Sequence, residues 1–298
     1  MIAAVLVSLL LQQPAALVTR ANEALTRGDR TEAKRLLREA GDKGGSVRAL
    51  LQLAQVYSQE GNANGAGSAL NAAIKLAPNS EDVLAAFAEF SLSVHAPMQA
   101  ILTLESLTRM CPSEPRYAYQ LGVGLMMGGD MPAATDALRK ANALEPERPL
   151  TLLALGLAYN NQKLFTDARP VLRRALDLDA SSIEALAALS EAEAGVGDLE
   201  SAERDATRAL ARSTGNATAN LVIGMVRMAQ ERYPEARDAL LAAVAADPRL
   251  PKTEYQLSLV YTRLGDQSAA EQHLTRYREK LRALEAAVEA LHRHSGSK

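Results

Sequence analysis

Alanine recurs every 34 residues at Ala66, Ala100, Ala134, Ala168, Ala202, Ala236 and Ala270, and Ala33 precedes the series by 33. A period held this strictly describes a stack of like units, each too small to bury an apolar face alone and each burying it on its neighbours. Twelve residues before each alanine stands another small residue: Ala21, Ala54, Ala88, Gly122, Gly156, Ser190, Gly224 and Ser258. Seven residues after most of them comes a third small column, Ala40, Ala73, Ala141, Ala175, Ala209 and Ala243. Small residues at helical spacings let helix axes approach closely, so the unit is built from packed helices.

Composition agrees. Aromatic residues make up 4% of the chain, with no Trp and 3 Phe, whereas sheets draw on aromatic and β-branched side chains. Ala and Leu, the strongest helix formers, are abundant instead. Between the first two small columns the pairs Gly28-Asp29, Gly61-Asn62, Gly129-Asp130, Gly197-Asp198 and Gly265-Asp266 recur. Glycine accepts the left-handed conformation that ends a helix, and Asp or Asn caps the next one. Each unit therefore reads helix, turn, helix. Pro78, Pro112, Pro146 and Pro248 end the second helix, and that stop is missing at Ala180, Thr214 and Arg282.

These columns, with the stretch Arg116 to Pro146 as a good single copy, resemble the tetratricopeptide repeat (TPR) family. In that register the repeats run 14–46, 47–80, 81–114, 115–148, 149–182, 183–216, 217–250 and 251–284. The resemblance implies an all-α, right-handed solenoid superhelix of about eight helix-turn-helix repeats, continuous as one fold and closed by a C-terminal capping helix. Three departures stand out: a first repeat one residue short, His95-Ala96-Pro97 in place of the glycine turn in the third, and Glu191 and Glu193 in the sixth. Those units are expected to be locally irregular.

Residues 1–13 lie outside the repeat frame. The run Met1 to Leu11 is apolar, and no charged side chain appears before Arg20. It is too short to span a bilayer and has the length of a secretory core region, although it lacks a basic start and a well-matched cleavage context. Three readings stand: a signal peptide, which would place the protein in the periplasm or outside the cell, an apolar helix docked on the first repeat of a cytoplasmic protein, and a mis-assigned start codon. The position outside the frame favours the first. At the other end, Ser268 and Glu271 form a capping-box pattern. The stripe Leu274, Tyr277, Leu281, Leu284, Val288 and Leu291 then continues at alternating spacings of three and four. This reads as a long helix covering the last repeat, with weak self-association as the alternative, and residues 285–298 as its extension and polar tail.

Candidate chemistry is sparse. Lys and Arg number 33 against 35 Asp and Glu, so there is no basic surplus for a phosphate backbone, which disfavours a helical-repeat RNA binder. One cysteine, Cys111, and the four histidines His95, His273, His292 and His294 form no conventional zinc pattern. Gly122, Gly124, Gly128 and Gly129 lack the Gly-Lys-Ser/Thr ending of a phosphate loop. No nucleophile with an acid–base partner emerges, and no cofactor is implied. The expectation is a non-enzymatic interaction scaffold, for example a bacterial extracytoplasmic assembly or secretion factor. An accessory subunit of a cytoplasmic enzyme complex is the alternative.

The resemblance further implies a concave binding face lined by the first helix of each repeat. Projected on this sequence, its lining is Tyr119, Val123 and Met126 in the fourth repeat, and Leu153, Leu157 and Asn160 in the fifth. Leu221, Met225 and Met228 follow in the seventh, and Tyr255, Leu259 and Thr262 in the eighth. Relatives that clamp an acidic C-terminus use Lys, Asn and Arg at such places; Leu and Met here point to a peptide or amphipathic helix of a protein partner. Asp82, Glu89, Glu184 and Glu191 add acidic points suited to a basic partner, or form a solvated face.

Overall fold

The computed structural model describes residues 2–295, with side chains over 14–290 and at Arg293. The side chains of the expected signal peptide, residues 1–13, and of His292 and His294 in the polar tail thus lie outside the described residues. Among the described residues there are sixteen helices and no strand, as the alanine columns predict.

The chain divides into two compact units at Pro112, inside the link between the third and fourth repeats. A single continuous stack was expected; the division falls where Pro112 and Pro115 bracket a two-residue connection. The first unit contains α1 (Ile2–Thr26), α2 (Arg30–Asp42), α3 (Val47–Gln59), α4 (Ala63–Leu76), α5 (Glu81–Ser93) and α6 (Pro97–Met110). The second contains α7 (Pro115–Gly128), α8 (Met131–Leu144), α9 (Pro149–Asn161), α10 (Phe165–Leu178) and α11 (Ile183–Gly195). It continues through α12 (Leu199–Arg212), α13 (Ala217–Ala229), α14 (Tyr233–Ala246), α15 (Pro251–Leu264) and α16 (Gln267–Ser295). Residues 2–13 carry on as the same helix as the start of the first repeat, and Pro14 sits inside it against Gly44. Among the described residues no helix is long and apolar enough to cross a membrane.

Within each repeat the small columns form the crossing. Gly122, Gly156 and Gly224 are covered by Leu138, Leu172 and Leu240, each sixteen residues on, so closely that an added Cβ would meet a leucine carbon at 2.3–2.5 Å. The sixth repeat reverses the sizes, with Ser190 opposite Ala206 in the same two columns. The third small column, from Ala40 to Ala243, is likewise buried.

The turn column is left-handed in every repeat. Gly28, Gly61, Gly129, Gly197 and Gly265 have φ between 70° and 88°, and His95, Lys163 and Glu231 take the same place at 56° to 61°. The third repeat is therefore regular, contrary to expectation. Holding a non-glycine residue there costs roughly 1–2 kcal/mol, less than the stacking that imposes it. The same three turns lack a side-chain cap, whereas Asp29, Asn62, Asp130, Asp198 and Asp266 each accept a bond from the backbone N–H three residues on. The sixth repeat is also regular in backbone.

In the second unit, first helices approach the first helices of the next repeat (α7 to α9, α9 to α11, α11 to α13, α13 to α15), while second helices make no comparable approach to one another. First helices thus lie on the inside of the curve.

Candidate functional site

The inner face of the second unit is built from α7, α9, α11, α13 and α15. Tyr119, Val123, Met126, Leu153, Leu157, Met225, Met228 and Leu259 are half-buried there, and Tyr255 and Thr262 are exposed. The half-buried side chains rest on the core: Leu157 and Met126 lie against the cluster of Leu155, Tyr159 and Leu189, and Met225 and Met228 against Leu240 and Leu257. The Arg148 guanidinium lies 5.3 Å from the centroid of the Tyr119 ring.

Two expected lining residues are not on the surface. Leu221 is 1% exposed, because α15 packs down onto α13 and places Leu257 beside it. Asn160 is 3% exposed and donates through Nδ2 to the Ala188 carbonyl at 2.7 Å, tying α9 to α11. Both fasten neighbouring repeats. Glu191, read as an acidic surface point, is also buried and takes an ion pair from Lys252 across α11 and α15.

The lining opens into a concavity of about 410 Å³ walled by Ala194, Leu199, Met225, Met228, Tyr233, Gln256 and Arg263. Gln256 Oε1 is buried there without a hydrogen-bond partner among the described residues. The pocket therefore offers two thioethers, the Gln256 acceptor, the Arg263 guanidinium and the Glu231 carboxylate to whatever enters. In the first unit a groove of about 560 Å³ between α3 and α5 mixes Arg48, Gln52, Gln55, Ser58, Glu89 and Ser93 with Leu51, Leu70, Ala86 and Phe90.

Buried charge was not legible in the sequence. Tyr57 and Tyr159 occupy one column, and their hydroxyls accept bonds from Arg38 and Arg139 on the second helix of the preceding repeat. In the sixth repeat that column holds Glu193, fully buried, with Arg173 at 3.1 Å. Burial pushes the Glu193 carboxyl up from its ordinary range, the Asp205 charge adds to this, and Arg173 opposes it. Its Oε2 has no partner among the described residues. In the eighth repeat, burial also pushes Glu254 up, but bonds from His273 (2.7 Å) and Lys280 (2.6 Å) outweigh it and hold that carboxyl below its usual range.

A raised folded pKa means that the folded state keeps its proton longer than the unfolded chain. Stability from Glu193 is therefore fully present below the ordinary glutamate value, ~4.3, and is lost as pH rises through the raised one. Urea titrations of wild type and Glu193→Gln should show the variant gaining stability relative to wild type as pH rises from about 4.5 to about 7, because glutamine stays neutral throughout. Parallel curves would contradict this.

Profiles described as tetratricopeptide repeat match residues 24–90, and residues 129–183 and 187–251. The chain belongs to the tetratricopeptide repeat family. A search of curated proteins returned no match. Among solved structures, the TPR chain is similar to a tetratricopeptide repeat protein from Parabacteroides merdae, with a TM-score of 0.63 and 14% identity over 84% of this chain and 99% of that one. It is also similar to the APC/C Cut9–Hcn1 hetero-tetramer, with a TM-score of 0.61 and 19% identity over 86% and 48%. A third likeness is to Pseudomonas aeruginosa pilF, with a TM-score of 0.54 and 22% identity over 68% and 92%. At these identities the likenesses report the fold. TPR repeats mark the chain as a protein-interaction scaffold, and no catalytic family is matched.

Proposed function

We propose that this TPR protein is a non-enzymatic scaffold that holds a peptide or helical segment of a partner protein on the inner face of its second unit, acting outside the cytoplasm as a bacterial assembly or secretion factor. The observation that carries the reading is the state of the lining. Leu153, Leu157, Met225, Met228 and Leu259 are half-buried, Leu150 is exposed, and all are carried on first helices. Fully burying such a side chain contributes ~1.5–3 kcal/mol, so a row left partly in water is a surface that gains by being covered. Methionine adapts to irregular partners, and Tyr255 offers a rigid ring with a polar tip. The uncharged run Met1 to Leu11 supports export.

Photo-crosslinking in the native host tests this. A photoreactive residue at Leu150 or Tyr255 should capture a discrete partner, recovered from the periplasmic fraction, while one at Arg208 or Asp238, exposed on second helices, should not. Crosslinks confined to Arg208 and Asp238, or to the cytoplasmic fraction, would overturn it.

A further inference from the structure

The last helix does more than finish the eighth repeat. α16 packs on α15 with Tyr261 stacked on His273 at 5.3 Å, Tyr255 against Tyr277 at 5.4 Å, and Lys280 Nζ on Glu254 at 2.6 Å. No proline stands at Arg282, and the helix runs on to Ser295. About 26 Å along it, at 1.5 Å per residue, Leu284 and Val288 sit on Gly129 in the turn between α7 and α8. A Cβ on Gly129 would lie 2.6 Å from Leu284 Cδ1 and 3.0 Å from Val288 Cγ2. Gly28, Gly61, Gly197 and Gly265, which hold the same turn place, have nothing within 4 Å. The backbones of α16 and α7 also come close.

α16 therefore touches both ends of the five-repeat unit. A straight helix joining the ends of a curved stack runs along its chord, on the concave side. That Tyr277 meets Tyr255, a lining residue, puts the start of this chord on the same face. The segment carries Arg276, Arg278, Lys280 and Arg282 beside its aliphatic stripe. The carboxylates on this face are Glu254, bound to the segment itself, Glu191, buried and paired with Lys252, and the exposed Glu184. Leu284 keeps 41% of its surface in water, so the docking is light enough to be exchanged.

We propose that residues 277–290 are a built-in ligand of the second unit, and that the partner of this face is a basic amphipathic helix that displaces them. Such a helix presents the same pattern: an aromatic, a lysine three residues on, and two aliphatic side chains one turn apart. The proposal rests on the concave-face reading above and adds to it the class of ligand and a resident competitor.

The test uses the full-length chain and a fluorescent synthetic peptide of residues 274–293. Leu284→Glu/Val288→Glu changes two side chains outside the repeat cores, so the variant should keep wild-type helicity. The peptide should bind this variant at least tenfold more tightly than wild type by anisotropy, and amide exchange over 282–290 should accelerate by at least tenfold. Equal affinity for both proteins, absence of binding to either, or unchanged exchange would overturn the proposal. The crosslinks at Leu150 and Tyr255 are read independently. If they succeed while the peptide fails, the built-in ligand is wrong and the concave-face reading stands; if the peptide succeeds while they fail, residues 277–290 dock on the unit, but the concave-face reading and the displacing partner both fall.

Discussion

Gly156→Val is expected to lower stability by about 2–3 kcal/mol, the cost of overpacking a buried crossing. The first added carbon would lie 2.3 Å from Leu172 Cδ2 and 2.4 Å from Cγ, and Leu172 is fully buried, so neither side can give way without moving a helix. Gly156→Ala separates the contributions. It gains about 1 kcal/mol of helix propensity, which offsets part of the clash, and Ala54 and Ala88 show that alanine fits this column elsewhere. For a unit of this size the valine variant should melt about 4–12 °C lower. A valine variant as stable as wild type would mean that the crossing in the fifth repeat is looser than the structure shows.

The parts of the fold set by local chemistry were legible in the residues. The 34-residue interval, the three small columns and the Gly-Asp turns repeat often enough to reveal a helical stack and the TPR family. Legibility failed where the stack overrules its own signals. His95, Lys163 and Glu231 lack the glycine signature yet take the same left-handed turn, because neighbouring repeats impose it on all eight. Pro is missing after α10 and α12, yet both stop at Asp179 and Ser213 like their neighbours. Only in the eighth repeat does the second helix continue past this point, to Ser295.

Periodicity places a residue at a register position on the first helices, and eight of the twelve expected lining residues are half-buried there. It does not give the depth to which the next repeat packs, and for that reason Leu221 and Asn160 were misread. Glu193 and Glu254 were beyond its reach, since their partners Arg173, His273 and Lys280 lie on other helices, 19–26 residues away. Nor does anything in the sequence distinguish Gly129 from Gly28 or Gly197. The meeting of Leu284 and Val288 with Gly129 depends on curvature accumulated across five repeats.

The central claim is that the half-buried lining of the second unit is a binding surface and not extra core. Once the crosslinked partner is in hand, the most direct measurement is its affinity for Leu157→Glu, Met225→Glu and the double variant, alongside their helicity. Each single change should weaken binding at least tenfold, ~1.4 kcal/mol, and the two together about a hundredfold, since they stand on different helices and should act nearly additively. Helicity should stay at the wild-type level. Variants that unfold would show these side chains to be core, and variants that stay folded and bind as wild type would show that the partner uses another face; either result contradicts the account.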